Sequence, residues 1–190
     1  INKLIVATNQ NNILHRAISS GDYKAEKVVQ TISPSMDIQI ASNFERLIYD
    51  LNGFDCYATK KIMSEIKKSG KYIIPQDKIE KVKKHFLSAS LNDSEVLNII
   101  KSAYEEHKIV MDPHTAIGFG AVNKVKVDGL NIILGTAHPC KFPDAINDAI
   151  KIKPQLPEEL INILDEKEEY MITPNDLESI KKIIKNKSLI

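Results

Sequence analysis

Short apolar runs alternate along this 190-residue chain with stretches of helical periodicity, and this alternation constrains the fold more than any other feature. Strands that alternate with helices favour a parallel sheet over an antiparallel one. The strand candidates are residues 4–7, 28–31, 109–111 and 132–134. The sequence therefore predicts an α/β fold with a parallel sheet flanked by helices.

Apolar residues at helical spacing, together with capping residues, predict the helices between these runs. One helix follows the first run and ends at Gly21, and another ends at Gly70. A C-terminal helix is expected to begin at Thr173, with Pro174 in its first turn. Further helices are expected at residues 42–50, 57–68, 79–86, 96–103 and 116–121.

Polar residues follow three of the apolar runs directly. In an open parallel sheet, ligands bind just outside the carboxyl ends of the strands. That rule points to residues 8–9, 112–115 and 135–138. His114 and His138 both lie at such strand ends, whereas the other three histidines fall on or near predicted helix surfaces. The residues alone therefore predict an α/β domain with a polar cleft at the ends of its strands.

Composition and spacing argue against several other classes of protein. The formal net charge of +1 and the lysines interleaved on helix faces argue against nucleic-acid binding. No apolar run is long enough to cross a bilayer, and a cytoplasmic protein is expected. Cys56 and Cys140 lie far apart, and no histidines have metal-pair spacing, so neither a disulfide framework nor a metal site is expected. The chain has no Gly-rich phosphate loop and no nucleophile elbow.

Four segments resemble the threonine synthase family, in the family's order and spacing. They are LIVATNQN at residues 4–11, QTISPSMDIQ at 30–39 continued by SNFERL at 42–47, DPHTAIG at 112–118, and GTAHPCKFP at 135–143. The one departure within a motif is Cys140, where the family has alanine, and both residues are small enough to pack in the same place. The resemblance covers essentially the whole chain.

This resemblance implies part of a fold-type II pyridoxal-phosphate (PLP) enzyme, related in architecture to the tryptophan synthase β chain. Members of the family convert O-phosphohomoserine and water to threonine and phosphate. PLP serves them as an electron sink. The small-molecule substrate, the cofactor and a role in threonine biosynthesis are thus expected from the resemblance.

The resemblance also implies roles for particular residues. The Thr136 hydroxyl is expected to bond the pyridine nitrogen of PLP, and Gly135, Ala137 and His138 of the same motif are expected to contact the cofactor. Other residues of the matching segments are expected to shape the pocket or contact substrate: Asn9, Asp112, His114, Ser42, Asn43 and Arg46. For Asp112 and His114, helix capping stays open as an alternative.

The family's chains are much longer, so residues 1–190 are interpreted as one C-terminal segment of the catalytic domain. The lysine that holds PLP as a Schiff base lies upstream in the family, and Lys141 does not correspond to it. No catalytic residue is therefore assigned here. The start at Ile1, directly before a predicted strand, suggests a cut through a fold. The chain alone is expected to be inactive and to need its N-terminal complement or self-association.

Two other interpretations stay open from the sequence. One is a different fold-type II PLP enzyme, such as a serine or threonine dehydratase. The residues 33–37 and 136–139 argue against it, because these segments match threonine synthases in particular. The other is a remnant that serves as a binding module and not as an enzyme.

Overall fold

The computed structural model describes residues 1–163 and 165–188, and the chain forms two units, Ile1–Gln155 and Leu156–Ile190. The strands of the first unit are β1 (Leu4–Thr8), β2 (Asp22–Lys24), β3 (Lys71–Ile73) and β4 (Phe86–Ser90). Its helices are α1 (Ile13–Ser20), α2 (Phe44–Leu51), α3 (Cys56–Ser69), α4 (Gln76–His85), α5 (Asp93–His107), α6 (Pro113–Val125) and α7 (Pro143–Ile150). The second unit contains α8 (Leu177–Lys187).

A parallel pair of strands lies at the centre of the first unit. β1 pairs with β4 in a register that runs from Leu4 opposite Phe86 to Thr8 opposite Ser90. Helices α1 and α6 both pack against this pair. The predicted α/β fold with a parallel sheet and flanking helices is therefore confirmed. A second, antiparallel pair joins β2 to β3.

The strand that completes the parallel pair, β4, was not expected from the sequence. Phe86 was assigned to the end of a helix, whereas α4 ends at His85 and Phe86 begins the strand. The sequence of β4, FLSAS, contains no β-branched residue, so it gives little strand signal. Its conformation depends on the hydrogen bonds that β1 provides.

The strand predicted at residues 28–31 is wrong. Val28 and Val29 are about half exposed and lie outside any strand. The Asn11 side chain bonds both backbone groups of Val29, donating to its carbonyl at 2.8 Å and accepting from its N–H at 2.8 Å. A side-chain amide thus takes the place that a neighbouring strand would occupy.

The strands predicted at residues 109–111 and 132–134 do not form within the described residues either. No backbone-to-backbone hydrogen bond within the described part of the chain involves residues 130–135. Leu130, Ile132 and Leu134 are 92%, 81% and 76% exposed, so this run is not a buried strand. The side chains of residues 130–134 alternate between exposed and half-buried, as they do in a strand. No strand of the described chain pairs with this run.

The helix ends predicted at Gly21 and Gly70 agree with the structure, whereas α5 and α6 each begin three residues earlier and end four residues later than predicted. Gly21 and Gly70 both adopt the left-handed conformation that ends α1 and α3, which suits glycine because it has no Cβ. The C-terminal helix begins later than predicted, because Asp176 and not Thr173 is its cap. The Asp176 carboxylate accepts the Ser179 N–H at 2.8 Å.

The buried side chains of the first unit form two clusters. One lies among α1 to α4 and contains Ile13, Ala17, Tyr23, Ala41, Phe44, Ile48, Ile66, Ile74 and Ile79. The other lies around α5 to α7 and contains Ala89, Leu91, Val96, Ile100, Met111, Ala116, Ile117, Ala121 and Ile146. The small residues of α6 permit close packing, as predicted, since a Cβ on Gly120 would lie 2.1 Å from Leu91. No helix of the described residues is long and apolar enough to span a membrane.

Tyr23 links the first cluster to the loop before α2. Its ring stacks on Phe44 with centroids 4.4 Å apart, and its hydroxyl accepts the Ala41 N–H at 2.9 Å. Burial raises the pKa of the Tyr23 phenol, and the Ala41 N–H partly offsets this. The hydroxyl therefore satisfies a backbone donor that is otherwise buried.

We expect Tyr23→Phe to lower the free energy of unfolding by about 1–3 kcal/mol, because the ring still packs but the Ala41 N–H loses its acceptor. Urea unfolding followed by circular dichroism measures this. Tyr57→Phe is the matched control, since Tyr57 is 81% exposed, and it should change stability little. Equal stability of the two variants would contradict a structural role for the Tyr23 hydroxyl.

Candidate functional site

The polar residues after β1 are buried in a hydrogen-bond network. Asn9 is 0% exposed, and its amide nitrogen lies 2.9 Å from Thr31 Oγ1, 3.1 Å from Ser33 Oγ and 2.7 Å from Asp37 Oδ1. Its amide oxygen accepts the Asn11 N–H at 2.9 Å. Both ends of the Asn9 amide are therefore used within the protein, and its contact with a ligand stays a prediction.

Asp37 is the acceptor on which this network converges. Its carboxylate accepts from the Asn9 and Asn11 amides at 2.7 and 2.9 Å. It also accepts from the Thr31 hydroxyl at 2.7 Å and the Thr31 N–H at 2.9 Å. Asp37 thus closes residues 31–37 into a loop that rests on the end of β1.

A second carboxylate lies close to this loop. Burial raises the pKa of Asp93, the Ile32 N–H lowers it in part, and the negative charge of Asp37 raises it further. Asp93 Oδ1 is buried and has no hydrogen-bond partner within residues 1–163 and 165–188. Burial and the nearby charge of Asp37 therefore both favour the protonated form of Asp93.

Asp112 and His114 form the second polar network, at the start of α6. Asp112 is 1% exposed and caps the helix, since its Oδ1 accepts the N–H groups of His114 at 2.9 Å and Thr115 at 3.4 Å. The same oxygen lies 2.9 Å from His114 Nδ1. Helix capping by Asp112, one of the two alternatives from the sequence, is therefore observed.

His114 connects this network to residues 31–37. Its Nε2 accepts the Ser35 N–H at 3.3 Å. A carboxylate only accepts and a backbone N–H only donates, so these two partners assign the ring proton to Nδ1. Phe142 packs on the ring, with centroids 4.7 Å apart. His114 therefore lies between the loop at 31–37 and the segment that ends the motif at residues 135–143.

The predicted cofactor-binding residues lie in an exposed loop beside this network. Gly135, Thr136 and His138 are exposed and Ala137 is half-buried. The Thr136 N–H donates to Thr115 Oγ1 at 3.4 Å, and no hydrogen bond within the described residues uses the Thr136 hydroxyl. His138 Nδ1 accepts the Cys140 N–H at 3.2 Å, so His138 stabilises the turn that follows.

The structure joins the three places predicted at strand ends, and the other predicted residues, Ser42, Asn43 and Arg46, lie elsewhere. The chain of contacts from Asn9 to residues 31–37, then through His114 and Asp112 to Thr136, joins the segments that follow three of the apolar runs. The remaining predicted residues line a different groove of about 430 Å³ on α2 and α3. Its lining is Ser42, Asn43, Glu45, Arg46, Tyr49, Cys56, Thr59 and Lys60.

Sequence reasoning assigned no role to several residues of the network: Thr31, Ser33, Ser35, Asp37 and Thr115. The sequence did contain a signal for this network, because the amide of an asparagine directly after a predicted buried strand needs hydrogen-bond partners. Residues 31–37 supply four acceptors to the Asn9 amide nitrogen: Thr31 Oγ1, the Ser33 carbonyl, Ser33 Oγ and Asp37 Oδ1. Within the described residues, no group of three or more His, Cys, Asp and Glu side chains is arranged to hold a metal ion.

Comparison with known proteins identifies relatives of the whole chain. A sequence-family model described as "Threonine synthase, C-terminal" matches residues 115–184. The threonine synthases of Pseudomonas aeruginosa and Saccharomyces cerevisiae are 36% and 37% identical to the chain. Each alignment covers 97% of this chain, and 40% and 41% of the relative. The crystal structure of PLP-bound threonine synthase from Brucella melitensis superposes with a TM-score of 0.85 and 37% identity, over 100% of this chain and 41% of that one.

These findings define the class first. The parallel sheet with its flanking helices, and its superposition on a PLP-bound structure, give the chain the fold of part of a fold-type II PLP enzyme. The identities and the family model then fix the family: the chain belongs to the threonine synthases. It spans about 40% of the length of the relatives it matches, and it corresponds to their C-terminal portion.

We expect Asp37→Ala to lower the free energy of unfolding by about 2–4 kcal/mol, because buried amides of Asn9 and Asn11 lose a charged acceptor. Thermal or urea unfolding measures the loss. The control is Asp128→Ala, since Asp128 is an exposed carboxylate in the loop after α6. A stability loss no larger than that of the control would show that the network does not depend on Asp37.

Proposed function

We propose that this chain is the C-terminal segment of the catalytic domain of a threonine synthase. The whole protein converts O-phosphohomoserine and water to threonine and phosphate with PLP. The observation that carries the proposal is the convergence of the motif segments on the loop that contains Thr136. Family membership and the PLP-bound neighbour support it.

The Thr136 loop fits the pyridine end of PLP. The hydroxyl of Thr136 is exposed and unused by the described residues, so it is available to a ring nitrogen. A Cβ on Gly135 would meet no atom within 4 Å, and Ala137 is small, so a flat ring has room to approach. His138 supports the loop through the Cys140 N–H.

PLP supplies an electron sink that stabilises carbanions when it is bound. The contribution of this chain is to orient the ring. A hydroxyl at Thr136 is neutral, so it holds the pyridine nitrogen without the strong electron withdrawal that a carboxylate partner would cause by keeping that nitrogen protonated. The loop thereby positions the pyridine ring and limits how strongly the ring withdraws electrons.

The lysine that binds PLP covalently belongs, on this proposal, to the part of the protein that this chain does not span. The chain spans 40% of the length of the first relative, and the family resemblance assigns the Schiff-base lysine to a position upstream of the motif segments, with Lys141 not its counterpart. We infer that the 190-residue polypeptide has no turnover of its own. Its substrate O-phosphohomoserine would be held largely by the other part.

We expect the longer protein that contains this chain to release threonine and phosphate in equal amounts from O-phosphohomoserine, and the 190-residue chain to release neither. In the longer protein, Thr136→Val should weaken PLP binding about two- to tenfold, the value of one hydrogen bond, and Thr136→Ser should not. Amino-acid analysis and a phosphate assay measure turnover, and fluorescence titration measures PLP binding.

Three results would contradict the proposal in different ways. Turnover by the 190-residue chain would refute the inferred division of the active site. Ammonia and a keto acid from serine or threonine, without phosphate release, would indicate a dehydratase. A longer protein that neither binds PLP nor turns over either substrate would indicate a binding module.

The apolar run before Thr136 is proposed to pair with the part of the protein that this chain lacks. Leu130, Ile132 and Leu134 are exposed, while Ile133 packs close to Gly118 of α6. This alternation is the pattern of a strand with one side covered. About 60% of the relatives' length lies outside the chain, which is ample to supply a neighbouring strand.

We expect Leu130→Thr, Ile132→Thr and Leu134→Thr together to abolish activity when this chain and the remaining part are supplied as separate polypeptides. Threonine preserves strand propensity while it removes apolar surface. Val28→Thr with Val29→Thr is the control, because both valines are exposed elsewhere. Sedimentation velocity should show self-association of the unmodified chain. A stable monomer at high concentration would contradict the proposed pairing.

A further inference from the structure

Thr115 lies between the buried carboxylate of Asp112 and the backbone of Thr136. It is the third residue of α6 and is half-buried. Its hydroxyl donates to Asp112 Oδ2. Thr115 Oγ1 also accepts the Thr136 N–H at 3.4 Å. Thr115 was part of a recognised motif, but neither the sequence nor the comparisons give it a role.

The direction of both hydrogen bonds follows from their partners. A carboxylate offers only acceptors, so the single proton of the Thr115 hydroxyl is committed to Asp112. A backbone N–H only donates, so Thr136 must face a lone pair of the same oxygen. The bond to Asp112 turns the hydroxyl proton away from Thr136, so a lone pair of Thr115 Oγ1 faces the Thr136 N–H. An apolar residue of equal size offers no such acceptor.

Asp112 is itself held in place by groups on other elements. Its Oδ1 accepts from the N–H and Nδ1 of His114, whose Nε2 in turn accepts the Ser35 N–H. Phe142 packs on the His114 ring. The position of the Thr115 oxygen is thus fixed from the buried side of the site and not by the exposed loop.

We propose that Thr115 is a positioning residue: its hydroxyl, oriented by Asp112, holds the Thr136 backbone so that the Thr136 hydroxyl meets the pyridine nitrogen of PLP. The part that concerns PLP rests on the proposed function. The part that concerns the Thr136 backbone rests on geometry alone. Thr115 does not touch the cofactor in this arrangement and acts only through Thr136.

Thr59 shows what an ordinary threonine in the first turn of a helix does in this chain. It is 4% exposed, lies one turn after the Asp55 cap of α3, and donates its hydroxyl to the Asp55 carbonyl at 2.8 Å. Its bond stays within its own helix. The Thr115 hydroxyl differs, because it also accepts from a residue 21 positions away.

The test uses the longer protein with Thr115→Val, Thr115→Ser and, as the matched control, Thr59→Val. Hydrogen exchange of the Thr136 amide, resolved by mass spectrometry without PLP, reads out the backbone contact. The absorption spectrum of bound PLP and its dissociation constant read out the cofactor. We expect Thr115→Val to speed the exchange and weaken PLP about two- to tenfold each, with a changed spectrum.

Thr115→Ser should restore all three readouts to within about twofold of the unmodified protein, because serine keeps the hydroxyl. Thr59→Val should leave the exchange at Thr136 and the PLP spectrum unchanged. Unchanged exchange in Thr115→Val would overturn the positioning role, and so would equal PLP effects in Thr115→Val and Thr59→Val. If the unmodified protein binds no PLP, the proposed function fails, whereas the exchange comparison still decides whether Thr115 holds Thr136.

Discussion

The buried carboxylate of Asp112 is the interaction on which the candidate site depends. A charge at 1% exposure is costly unless it is hydrogen-bonded, and Asp112 accepts from two N–H groups of its helix, a ring nitrogen and a hydroxyl. The same bonds that stabilise this charge fix the start of α6, the ring of His114 and the hydroxyl of Thr115. Those two side chains then hold the backbone of Ser35 and Thr136. The cap of α6 therefore fixes the positions of both neighbouring loops. A sequence can indicate the cap, but it does not indicate which loops the capped residues contact.

The sequence predicted features of the fold whose causes are local, and it failed where the cause is distant. Gly70 ends α3 because a left-handed residue is needed at that position, which a local pattern indicates. Strands instead need partners. β4 has a weak strand sequence yet pairs with β1, whereas residues 132–134 have a strong one yet pair with nothing in the described chain. Val29 is not in a strand, because the side chain of Asn11 bonds both of its backbone groups. The periodicity of the sequence cannot indicate such a contact.

For the site, the sequence indicated which segments matter but not how they meet. The rule that ligands bind at the carboxyl ends of parallel strands predicted that the regions of Asp112 and Thr136 line one cleft. The structure places them in contact through Thr115. Ser42, Asn43 and Arg46 were predicted from the resemblance to shape the pocket or contact substrate, and they line a separate groove beside α2 and α3. Contacts of this kind depend on the path of the chain through three dimensions. A single sequence constrains that path only loosely.

The exposed run at residues 130–134 leads directly into Thr136, and this continuity links assembly to the site. Within the described chain, Thr136 is held from one side by Thr115, while the residues before it have no backbone partner. Burial of three side chains such as Leu130, Ile132 and Leu134 is worth about 1.5–3 kcal/mol each. A strand that covers them would therefore bind tightly and would also fix the loop from its other end. If the proposed pairing forms, the apolar contact at residues 130–134 also holds, from its other end, the loop that carries the Thr136 hydroxyl.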